Sequence, residues 1–121
     1  MYSYGEGKWT LKEMLQHMID TERIFCYRAL AIARKETATL PGFDEEIYAG
    51  NSDANRRTWA SLAEEMKDVR EATQHLFVSF TETMLNNIGK FSSAEGSPNT
   101  LGFICVGHVY HHIKIAEERY F

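Results

Sequence analysis

The chain has 121 residues, the length of one domain, and is 44% hydrophobic and 25% charged, an ordinary globular composition. Lys and Arg number 13 against 17 Asp and Glu, a formal net charge of -4. That balance argues against binding to nucleic acid or to an anionic membrane surface, which both need clustered positive charge. No apolar run approaches the roughly 20 residues of a spanning helix, and no secretory leader pattern opens the sequence. The expectation is one soluble, cytoplasmic domain over residues 1–121.

Thr10, Leu11, Lys12 and Glu13 have the pattern of a capping box, in which the threonine hydroxyl and the glutamate satisfy each other's backbone amides. Leu11, Met14, Leu15, Met18, Phe25, Ala29 and Ile32 then recur at helical spacing, which predicts a helix over about 11–35. Arg34 and Lys35 suit its negative end. Leu40-Pro41-Gly42 stops it, and Gly50-Asn51-Ser52-Asp53 is a second break. Phe43, Ile47 and Tyr48 between them make a loop too apolar for a free linker, expected to fold over the bundle.

Ser52 or Asp53 is the expected cap of a second helix over 53–88, ended by Gly89. Its stripe is Trp59, Leu62, Met66, Val69, Leu76, Phe77, Phe80 and Met84. Residues 89–99, with Ser92, Ser93, Gly96, Ser97 and Pro98, read as a loop. Asn99 or Thr100 then caps a third helix over 99–120. No strand-like alternation is seen, so the fold class is all-α. Cys26 and Cys105 lack metal-finger or CxxC spacing and read as reduced, buried thiols.

The third helix carries the chemistry. Its inward stripe is Leu101, Ile104, Cys105, His108, His112 and Ile115, so two imidazoles stand four residues apart among core aliphatics. That spacing puts them on one helix face, where both can reach one metal ion. His17 lies on the edge of the first helix's stripe and supplies a third nitrogen if the two helices pack side by side. Three neutral imidazoles leave positions open for water or substrate. The competing reading is a set of hydrogen-bonded core histidines. His111 flanks the site, His75 has no partner at ligand spacing, and Cys105 is a fourth ligand only for a softer zinc site.

Lys8-Trp9-Thr10, His17 through Arg23, Arg28-Ala29-Leu30 with Ala33-Arg34, Leu40 through Asp44, and Gly107 through His112 together resemble the DinB-like superfamily, to which the YfiT-like metal-dependent enzymes belong. The resemblance covers nearly the whole chain. It implies a four-helix bundle with one divalent metal ion (Zn, Ni, Mn or Fe) on His17, His108 and His112. Family members carry a further helix before the Lys-Trp segment. Here Met1–Gly7 is too short and Gly-rich to supply it, leaving three long helices and an apolar groove. A homodimer is the expected cover.

Asp20, one turn from His17, is a candidate to orient it or to bind a metal-held water; a solvated or salt-bridged aspartate is the alternative. Glu22 is five residues from His17 and reads as off the metal. Arg28 and Arg70 fall near apolar stripes. Either can bind an anionic substrate group, against the heavier reading of snorkelling or an ion pair with an interior glutamate. The resemblance suggests a transferase using a low-molecular-weight thiol whose proton the metal removes. The alternative is a non-catalytic, stress- or damage-inducible metal-binding or dimeric interaction protein.

Overall fold

The computed structural model describes residues 8–120; the Met1–Gly7 segment, expected to hold no helix, lies outside the described residues. Helix α1, Leu11–Ala33, begins with the capping box. Thr10 Oγ1 accepts from the Glu13 amide at 3.2 Å, and Glu13 Oε1 accepts from the Thr10 amide at 2.9 Å. The helix ends two residues before the expected 35. Lys35 has φ 66° and the Glu36 amide donates to the Ala31 carbonyl, a left-handed end with a lysine where glycine is usual. Arg34 and Lys35 therefore stand beyond the last turn rather than within it.

The apolar loop is itself ordered as α2, Glu45–Gly50, capped by Asp44, whose carboxylate accepts from the Glu46 and Ile47 amides. It packs on α1 through Ala49 and leaves Ile47 and Tyr48 exposed.

The single helix expected over 53–88 is a series of shorter pieces. A 3-10 turn spans Ala54–Arg56, α3 runs Trp59–Val78, and α4 runs Glu82–Asn86. Asp53 is left-handed at φ 51° and makes no side-chain cap, so neither it nor Ser52 starts the helix. Thr58 does, accepting from the Ser61 amide at 3.1 Å. Ser79 turns its hydroxyl back to the Leu76 carbonyl and Thr81 caps α4, so local side-chain bonds break the apolar stripe's helix at 79–81. The break turns Phe80 inward, 7% exposed, beside Ala29, Ile32, Leu40 and Leu101.

Residues 89–99 form a short hairpin where a loop is expected. Strand β1, Gly89–Phe91, pairs antiparallel with β2, Ala94–Gly96, through a turn with Ser92 at φ 54°. Leu40 clamps it, donating to the Lys90 carbonyl and accepting from the Ser92 amide, each at 2.8 Å. Gly89 is thus a strand residue. A Cβ there would lie 2.4 Å from Cγ1 of fully buried Ile32. We expect Gly89→Ala to cost about 1–3 kcal/mol in chemical denaturation, because Ile32 has nowhere to move.

Helix α5, Pro98–Arg119, is capped by Ser97, two or three residues before the expected Asn99 or Thr100, with Pro98 in the first turn. The two short strands apart, the architecture is all-α. Helix α1 packs against α3 on one side and α5 on the other. A cluster of Ile19, Leu62 and Val69 seals α1 to α3. On α5, Phe103, Val106 and Tyr110 are 75%, 59% and 69% exposed. Phe77, Gly102, Phe103 and Val106 line a groove of about 360 Å³ between α3 and α5. No described helix is long and apolar enough to cross a membrane.

Candidate metal centre

His17 sits in the second turn of α1 on the face toward α5, 4% exposed. His108 and His112, one turn apart on α5, meet it half-buried. His108 Nε2 lies 3.0 Å from His17 Nε2 and 3.1 Å from His112 Nε2. Ligand atoms of all three fall within 4.8 Å of one another, and the rings stand edge to face.

Hydrogen bonds alone do not satisfy this arrangement. A neutral imidazole nitrogen carries either one proton or one lone pair in the ring plane. His108 Nε2 can therefore pair with one neighbour, not both. A cation among three lone pairs resolves the conflict. Around a tetrahedral zinc with Zn–N bonds of about 2.0–2.1 Å, nitrogens stand about 3.3 Å apart, close to what is seen. The residues fit a divalent ion.

Electrostatics agree. Burial, then repulsion from His112, lowers the His17 pKa to about 4. Burial, then His17, does the same for His108, and burial, then His108, for His112, both to about 4. All three are neutral donors at pH 7. Unfolded histidines titrate near 6.5. As pH falls from about 6.5 toward 4, the unfolded chain takes up protons that the folded chain refuses. The stability these rings contribute is thus complete above 6.5 and lost on acidification. Thermal melts of chelator-treated protein should fall through this window, less steeply in His112→Gln; parallel curves contradict three buried neutral rings.

Thr21, missed in the sequence, touches His17. Its Oγ1 lies 3.3 Å from Nδ1, so a proton on Nδ1 leaves the Nε2 lone pair facing the cluster. It is four residues on from His17, a spacing that signals the contact. Trp9 packs its ring 4.6 Å from that of His17. A cavity of about 220 Å³ lined by Trp9, Glu46, His112, Ile115 and Tyr120 opens beside the site. His111, exposed, meets the His112 ring edge to face, with centroids 5.4 Å apart.

Among the described residues no hydrogen bond joins Asp20 to His17. Asp20 accepts from Gln16 Nε2 at 3.0 Å, and burial raises its pKa. The charges that act on it are those of Glu65, Arg23 and Arg57. Arg70 is committed to Glu22: its Nε and Nη2 donate to the carboxylate at 2.9 and 2.6 Å. Thr73 donates to Glu22 as well, at 2.6 Å. Burial pushes the Glu22 pKa up, but these bonds more than offset it, leaving the carboxyl lowered. Cys105 lies beside Glu22, and burial, then that charge, pushes its thiol up to about 12; it does not join the three-histidine group. Arg28 lies apart from Arg70, under the Pro41–Phe43 loop.

The family model described as "DinB superfamily" matches residues 2–116. A protein of Oceanobacillus iheyensis named "Putative metal-dependent hydrolase" is 26% identical over 84 residues, 69% of this chain and 48% of that protein. The chain thus spans about half the length of this curated relative. YfiT from Bacillus subtilis, described as "a probable metal-dependent hydrolase with an unusual four-helix bundle topology", superposes with a TM-score of 0.76 at 15% identity. That match covers 97% of this chain and 70% of YfiT, and shows a shared fold. Family match, helical architecture and histidine cluster agree: the chain belongs to the DinB superfamily.

Proposed function

We propose that this chain is a divalent-metal-dependent enzyme in which His17, His108 and His112 hold the ion and a low-molecular-weight thiol attacks an electrophile beside it. The observation that carries this reading is the convergence of three neutral imidazole nitrogens in a geometry that hydrogen bonds leave unsatisfied. A divalent ion there supplies Lewis acidity, lowering the pKa of a thiol or water that binds it. Thr21 holds the His17 tautomer, and Trp9 with His112 walls the cavity through which a small molecule enters. No carboxylate joins the three nitrogens among the described residues, which suits a nucleophile that loses its proton on binding the cation.

Hydrolysis is the second reading, favoured by the names of the two relatives. The test is the chain loaded separately with Zn, Ni, Mn or Fe(II) and offered activated esters and epoxides, with and without a small thiol. Thiol adducts that vanish with chelator support the transferase; thiol-independent, metal-dependent ester cleavage replaces it with the hydrolase. Failure to bind any of these ions overturns both and leaves a non-catalytic interaction module. The exposed apolar face of α5 supports a homodimer, and a monomer's mass by light scattering overturns that part.

A further inference from the structure

Arg28 is 7% exposed, yet among the described residues no carboxylate pairs with it. Its Nη2 makes one bond, to the neutral Pro41 carbonyl at 3.3 Å, and its Nε is buried with no acceptor. The rings of Phe91, Phe25 and Phe43 surround the guanidinium, with centroids 5.3, 5.7 and 6.0 Å from Cζ. Ring faces stabilise a cation but accept none of its five N–H bonds in the planar fork that suits an oxyanion. A buried charge left in this state is costly.

Its position relates it to the histidines. Arg28 follows His17 by 11 residues on α1, about 20° from the same helical face. Half-buried Phe25 stands between them, its centroid 5.7 Å from Arg28 Cζ and 6.2 Å from the His108 ring. One aromatic side chain therefore separates the guanidinium from the metal ligands. All three rings around Arg28 are half-buried, presenting an apolar strip that ends on an unpaired cation.

We propose that Arg28 receives the carboxylate of the molecule that reacts at the three histidines, so that the substrate class is a small acid with an apolar body. The body lies on Phe25, and the carboxylate displaces the long Pro41 contact to take the free N–H groups. This rests on the metal-dependent reading for what happens at the other end, but binding at Arg28 is measurable without it.

The experiment is NMR of arginine Nε–H groups in the full-length chain, metal-free and zinc-loaded, titrated with 3-phenylpropionate or with its uncharged amide. Arg28→Lys assigns the signal. Saturable shifts of Arg28 with the acid and none with the amide are expected, with affinity for the acid roughly tenfold weaker in Arg28→Gln at unchanged zinc stoichiometry. A silent Arg28 in the zinc-loaded wild type overturns the proposal whether or not Arg28→Gln folds. Shifts in a chain that takes up no metal support the anion site and sink the metal reading alone.

Discussion

His108→Ala is expected to lower bound divalent metal from about one ion per chain to near zero while helicity is kept. His108 Nε2 is the nitrogen in contact with both others, so its loss removes the central ligand of the three. The buried residues that seat α5 are Pro98, Leu101 and Cys105, all before position 108, which is why the helix should survive. Elemental analysis of untagged protein, purified without chelator or nickel resin, reads the stoichiometry; circular dichroism reads the helix. Full occupancy in the variant overturns the ligand assignment.

Glu22→Ala is expected to be the most damaging change away from the histidines. The carboxylate is 1% exposed and accepts from Arg70 twice and from Thr73. Removing it leaves a cavity beside Cys105 and strands Arg70, which breaks a buried ion pair from one side. Arg70 is 32% exposed and can relax toward water, so the loss should be about 2–4 kcal/mol. Urea unfolding with an unchanged slope measures it. Glu22→Gln, which keeps the shape and one acceptor, should lose less. Equal losses would mean that packing rather than charge holds α1 to α3 here.

The long helices and the histidine set were legible because periodicity and i, i+4 spacing are local. The capping box at Thr10 and the pairing of His108 with His112 need nothing beyond neighbours on one helix. What escaped was decided by competition or by distance. Thr58 and Ser97 each won a cap that another residue along the chain also offered, and the 79–81 break, with Thr81 as its cap, hides inside an unbroken apolar stripe. The hairpin at 89–96 depends on Leu40, about fifty residues earlier, and on the closeness of Ile32 to Gly89. Asp20 and Thr21 differ by one position and both lie within a turn of His17, yet only Thr21 hydrogen-bonds to it.

The wide separation of the ligands along the chain ties the ion to the fold. His108 and His112 stay neighbours in any fragment that keeps one helical turn, so an unfolded chain can still hold an ion weakly by that pair. His17 stands 91 residues from His108, and recruiting it without the fold means closing a loop at an entropic cost of about 4–5 kcal/mol. The third imidazole is therefore what makes the cation discriminate native from unfolded chain. With it, metal uptake raises the melting temperature by mass action. Without it, the remaining pair binds both states nearly alike, and the ion no longer reports whether the protein is folded.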